Sequence, residues 1–127
     1  MKSENENVKF EIIEGILIAT YKVKFITLKI AKSVVRLRKE FTKNKEYPAL
    51  IKDYTTVKLE KEARAYLASN KGTEGIYSVA VLANSIYKRT LMNFFMKVLP
   101  PKMPVKLFSN EKEALLWLEE HKTRSNE

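Results

Sequence analysis

The sequence predicts an α/β fold with a mixed, mostly parallel sheet of about five strands, an N-terminal hairpin and about four helices. Three observations carry this. The chain opens on two adjacent β-branched and aromatic runs; from Thr27 apolar residues recur at three- and four-residue steps; and short apolar runs then alternate with helical patterns to the end. Strands joined through helices run parallel by right-handed crossovers, so only the hairpin is expected to be antiparallel.

Residues 1–7 are polar and are expected to form a disordered tail. Val8–Ile13 and Ile16–Tyr21 flank Glu14 and Gly15, the pattern of a hairpin. Glu-Gly is a weaker type I′ turn than Asn-Gly, because the residue before Gly must also take positive φ. The second run keeps apolar residues at both parities, as a strand covered on both faces does. Ile30, Val34, Leu37 and Phe41 then form one helical stripe, with Lys29, Lys32, Arg36, Lys39 and Lys43 on another and Thr27 placed to cap the N-terminus.

The run YPALIKDY, 47–54, reads as a strand with Pro48 near its start, where a missing amide costs least, and Asp53 near its end. Thr55 or Thr56 is expected to cap a helix over about 57–69, and NKGTEG to return the chain. IYSVAVLA, 76–83, is the most strand-like segment and should be central. A helix over about 85–99 follows, stopped by the prolines of PPKMP. The last strand is expected at 105–108 and the last helix from Asn110, with Glu113 in capping-box spacing and Ala114, Trp117 and Leu118 inward. A single domain is therefore expected over 8–122, with 123–127 a second disordered tail.

The 127 residues suit one domain that can bury a core without disulfides, and no cysteine is present to form one. Nucleophilic cysteine chemistry and thiolate zinc sites are excluded with it. The opening MKSENENVKF lacks the apolar run of a secretory signal, and no later segment is long and uncharged enough to span a bilayer, so a cytoplasmic location is expected. The net charge of +9 creates a field able to attract nucleic acid, anionic lipid or an acidic protein, but lysine supplies most of it and lysine-rich faces are common solubilising surfaces, so the charge alone does not choose. Nucleic acid is not expected, since no exposed aromatics or reading motif interleave with the basic stripe. A protein partner, through self-association or a regulatory contact, fits better.

No catalytic constellation is legible. His121 is the single histidine and sits near a polar end, Glu60 and Glu62 cannot face each other at a two-residue helical spacing, and the Gly72 to Gly75 loop lacks the Gly-Lys-Ser/Thr of a phosphate-cradling motif. No enzyme activity, metal or cofactor is expected. Asp53 is a candidate polar site because strand ends of this kind line sites in open α/β sheets, the alternative being a turn-stabilising role. On the 85–99 helix, Met92, Phe95, Met96 and Leu99 add a second apolar face beside the inward stripe. This is a candidate interaction surface for a protein or for an apolar ligand or lipid.

The stretch NFFMKVLPPKMPVKLFSNEKEALLWL, 93–118, is similar to the closing segment of the STAS-like bacterial proteins related to anti-sigma factor antagonists (sporulation stage II AA-like). There a helix ending in paired aromatics leads through a proline-rich loop to a K-L-F strand and an acidic helix with a Trp. The likeness extends weakly over 8–121, including YPALIKDY and KEARAYLAS. It implies a β-α superhelix and a regulatory, non-catalytic binding role, with a carrier of an apolar ligand or lipid as the alternative, since the fold group includes lipid-carrier-like relatives. The family's phospho-switch uses a Ser or Thr after the Asp-bearing strand. At that place this chain has Asp53-Tyr54-Thr55-Thr56, so Thr55 and Thr56 are the candidate phosphorylation sites, although the Asp-Ser-Ser-Gly-like pattern is absent.

Overall fold

A computed structural model describes residues 2–83 and 103–125. Its main sheet has six strands in the order β1(Lys2–Glu4), β2(Val8–Ile13), β3(Ile16–Tyr21), β5(Tyr47–Asp53), β7(Ile76–Ala83), β8(Val105–Leu107). A second, two-stranded ribbon pairs β4(Phe25–Ile26) with β6(Lys58–Leu59). The described helices are α1(Leu28–Thr42), α2(Lys61–Ala68), α3(Asn70–Thr73) and, at the end, α4(Glu111–Ser125). β1, β2 and β3 are antiparallel neighbours, and every other pairing in the main sheet is parallel.

The pleat sorts the core into two layers, because alternate residues of a strand point to opposite faces. Val79, Val81 and Ala83 pack with Ala31 of α1 and Ala63 of α2, and Leu17, Ala19 and Ala49 pack with Val34. Their neighbours Leu50, Ala80 and Leu82 meet Ala114 and Leu118 of α4. The two central strands, β5 and β7, are thus covered on both sides, which explains their nearly unbroken apolar sequence.

Several local choices follow the sequence directly. Glu14 (φ 50) and Gly15 (φ 79) both adopt positive φ, the demand a type I′ hairpin turn makes. Thr27 Oγ1 accepts from the Ile30 amide at 3.2 Å, and Asn110 Oδ1 from the Glu113 amide at 2.9 Å, capping α1 and α4.

Other choices differ. Lys2–Glu4, expected to fray, instead pair along β2, held by a turn in which Asn5 Oδ1 accepts from the amides of Asn7 and Val8. This sixth strand covers what would be an open sheet edge. Likewise α4 continues past Lys122, where the domain was expected to end. The helix expected over 57–69 begins only at Lys61, and neither Thr55 nor Thr56 caps it, because the next residues run extended as β6 and offer their side chains no helical amide, while the Thr56 hydroxyl donates to the Val23 carbonyl. Within NKGTEG, Asn70–Thr73 make one helical turn capped by Ser69 Oγ, which accepts from the Gly72 amide at 3.1 Å.

Buried Arg38 joins this turn to α1 by donating to the carbonyls of Gly72 (2.9 Å) and Glu74 (2.6 Å). Gly72 itself sits where any Cβ would run into the backbone oxygens of Tyr66 and Leu67. Since backbone cannot swing aside as a side chain can, Gly72→Ala is expected to cost about 3 kcal/mol or more in a urea melt, whereas Lys71→Ala, at an exposed neighbour, should stay within about 0.5 kcal/mol.

Candidate functional site

In an open α/β sheet, the edge where parallel strands end is where connections splay and sites form. Here β3 ends at Tyr21 and β5 at Asp53, and the two connections that leave them are laced together. The Lys24 carbonyl accepts from the amides of Val57 (2.9 Å) and Lys58 (3.2 Å), and the Ile26 carbonyl from the Glu60 amide (3.0 Å). In return Glu60 Oε1 accepts from the Leu28 amide at 3.3 Å, closing the ribbon onto the start of α1.

Asp53 organises the turn beneath this ribbon. It is wholly buried, and its Oδ1 accepts from the amides of Thr55 (3.1 Å) and Thr56 (2.9 Å), an Asx turn that satisfies the buried amide of Thr56. Among the described residues its Oδ2 has no hydrogen-bond partner. Thr56 is also wholly buried, and its hydroxyl donates to the Val23 carbonyl at 2.8 Å, so the turn is pinned to the neighbouring connection. Burial pushes the Tyr21 phenol up to about 12, with the Asp53 carboxylate adding to the rise and the Arg38 guanidinium opposing it.

Outward, the same two connections carry exposed apolar side chains. Phe25 is 56% exposed, Tyr54 61% and Val57 69%, with the exposed Lys24, Lys58 and Lys61 around them. Thr55 is half-buried between Tyr54 and Thr56. The Thr56 side chain is buried, whereas Thr55 is only half-buried. The surface offers contact area and positive charge, and the carboxylate beneath it is sealed from solvent.

Two further recesses flank the molecule. One of about 280 Å³ lies between α1 and α2, lined by Lys32, Arg36 and Lys39 of the basic stripe; Lys32 Nζ stands 5.9 Å over the Tyr66 ring and Lys39 pairs with Glu74 at 2.8 Å. The other, about 420 Å³, runs between α4 and the β2–β3 hairpin on the opposite face, with Ile13, Ile18 and Leu116 among its walls. His121 is not a free tail residue: its ring packs 4.1 Å from that of Trp117, and its Nδ1 lies 2.9 Å from the Trp117 carbonyl. Among the described residues no three His, Asp or Glu side chains gather as metal ligands, and no helix is long and apolar enough to cross a membrane.

The family model of a domain of unknown function, DUF7793, matches residues 10–122. The chain belongs to this family. Among solved structures it is similar to an uncharacterized protein of the DUF3478 family with a SpoIIAA-like fold from Shewanella loihica PV-4. The two share 19% identity at a TM-score of 0.62, over 93% of this chain and 98% of that one. At that identity the likeness establishes the fold, and it bears out the STAS-like resemblance of the sequence. A search of the curated proteins found no match.

The structure brings Asp53, Thr55 and Thr56 into one turn, while Met92, Phe95, Met96 and Leu99 lie outside the described residues. The exposed Phe25, Tyr54 and Val57 of this DUF7793 member were not singled out from sequence. Their signal was local: KFI and VKL are short runs that pair with each other, the first left between the second strand and the Thr27 helix and the second absorbed into the helix expected over 57–69.

Two measurements test the geometry of the turn. Thr56→Val keeps the volume but leaves the Val23 carbonyl unpaired, so a loss of about 1 to 3 kcal/mol is expected, against about 0.5 kcal/mol or less for Thr55→Val. The Tyr21 phenol, ordinarily near 10 and raised in the fold, contributes stability that is present below pH 10 and lost as pH rises toward 12. Relative to Tyr21→Phe, the parent is therefore expected to lose about 2 to 3 kcal/mol across that window in chemical denaturation.

Proposed function

We propose that this chain is a non-catalytic regulatory module that binds a protein partner through the rim formed by the two laced connections. The observation that carries the reading is the exposure of Phe25, Tyr54 and Val57 on two connections joined by hydrogen bonds and held from below by Asp53 and Thr56. Large apolar side chains scattered singly need no explanation, but three on two hydrogen-bonded neighbouring connections are the makings of an interface core. Aromatic area with lysines around it suits a partner that is apolar at its centre and acidic at its margin.

Regulation fits the same place. A phosphate on Thr55 would add negative charge beside Tyr54 and among Lys24, Lys58 and Lys61, inverting the local charge that an acidic partner meets. The SpoIIAA-like fold supports a binding role, and no cofactor is invoked. The carrier alternative has its own observation, the recess of about 420 Å³ along α4, which lies within the size range of small-ligand pockets. Mass spectrometry of the protein from its native host separates the two readings, since a carrier would arrive with a bound lipid.

A photo-cross-linking residue at Val57, with one at exposed Glu46 as control, tests the rim in the native host. A discrete adduct of foreign mass is expected at 57 and not at 46, abolished by Phe25→Ser with Tyr54→Ser. No adduct, or adducts only at multiples of the chain's own mass, would overturn the proposed partner contact.

A further inference from the structure

Lys29, Lys32, Arg36 and Lys39 of α1 and Lys43 at its C-cap follow one another at steps of three and four residues, so they stand on one face of the helix over about 21 Å. This arrangement works against the helix. Like charges one turn apart repel, and Lys29 lies in the first turn, where the helix dipole disfavours a cation and no acidic residue answers it. Of the five, Lys39 alone takes part in an ion pair among the described residues. Elsewhere Lys9, Lys22, Lys52 and Lys122 each hold a glutamate.

The carboxylates of this layer do not cancel the excess. α1 has one, Glu40, and Glu74 reaches Lys39 from beyond α3, while α2, α3 and their flanks set Lys61, Arg64 and Lys71 against Glu60 and Glu62. Beside the stripe opens the recess of about 280 Å³, with Tyr66 across from Lys32, Arg36 and Lys39. Lys32 Nζ stands 5.9 Å over the Tyr66 ring, so that face of the ring is taken and no base can stack on it. Among the described residues no exposed large apolar side chain lies on α1, which leaves this face nothing to insert into a bilayer.

A chain of carboxylates fits both the length and the sign of this surface. We infer that α1 takes an acidic polypeptide segment of a protein partner, laid lengthwise along the stripe with one side chain in the recess beside Tyr66. About six extended residues span that length. A carboxylate of the protein itself already sits at the far end of the stripe. Glu74 meets Lys39 at 2.8 Å, and its carboxyl is held below the ordinary range by Lys39 first, with Arg38 and Lys71 adding to the effect. The Glu74 side chain is 69% exposed, so an incoming glutamate can displace it without opening the fold. This contact goes beyond the rim reading and asks for none of Phe25, Tyr54 and Val57.

The test is fluorescence anisotropy at low ionic strength with a labelled peptide of alternating Glu and Ser, about eight residues long, and its Gln-for-Glu counterpart as blank. The parent is expected to bind the Glu peptide and to release it as salt is added. Lys32→Gln with Arg36→Gln should weaken binding about fivefold or more. Lys2→Gln with Lys112→Gln makes the same change in net charge at two exposed lysines away from α1, and should weaken it less than about twofold. Glu74→Gln should tighten binding more than Glu120→Gln, at an exposed carboxylate of α4. Circular dichroism confirms folding, and Lys29→Gln with Arg36→Gln replaces the stripe pair if that fails to fold. No binding of the Glu peptide up to about 1 mM protein, an equal loss in the two lysine pairs, or equal effects of the two glutamate variants would each overturn the inference. So would stripe-dependent binding to phosphatidylserine vesicles or to single-stranded DNA that is tighter than binding to the peptide. A foreign adduct at residue 57 with no binding of the peptide would overturn it and leave the partner reading standing, and peptide binding without an adduct would do the reverse.

Discussion

The two laced connections at the end of the sheet depend on a single carboxylate oxygen. Asp53 Oδ1 accepts two consecutive backbone amides where β5 ends, and Asp53 and Thr56 are both wholly buried there. Without that acceptor the chain could not turn within the core, and buried amides would be left unpaired at a cost of about 1–3 kcal/mol each. With it, Thr56 is presented to the Val23 carbonyl and the next residues reach Lys24. The ribbon of β4 and β6 is thus a consequence of the turn. The apolar rim in turn owes its rigidity to the ribbon.

Much of the architecture was legible in the sequence because it rests on periodicity. The hairpin, α1 with its Thr27 cap, the central β5 and β7, and α4 with its Asn110 cap all follow from spacing of apolar residues and from one polar atom at a helix start. What escaped the reading has a common physical origin. The ribbon consists of two-residue strands, too short for any period to register, and it forms by pairing residues 33 positions apart, as Thr56 with Val23. Thr55 and Thr56 look like helix caps because a hydroxyl just ahead of a helical pattern is the usual cap. Here the residues after them pair as β6 and the helix starts only at Lys61, so no helical amide is within their reach. Asp53 itself was legible as either a turn residue or a polar site, and its geometry is that of the turn.

The charge of the molecule is distributed unevenly over these elements. The lysine and arginine stripe of α1 faces solvent, and Lys39 finds Glu74, whose carboxyl it holds below the ordinary range. Such exposed pairs contribute little to stability. Their effect is on what may approach the surface, and the face along α4, richer in glutamate, offers a different approach from the face along α1.

The position of α4 in the chain has a consequence for synthesis. The layer of the core formed by Ile16, Ile18, Leu50, Ala80 and Leu82 is covered by Ala114 and Leu118, which leave the ribosome after every strand has been made. A nascent chain that has completed β8 therefore carries a full sheet whose second face still lacks its last helix. Stalling at that point would present a sticky sheet to neighbouring chains, and the short connection from Phe108 to α4 keeps that interval brief.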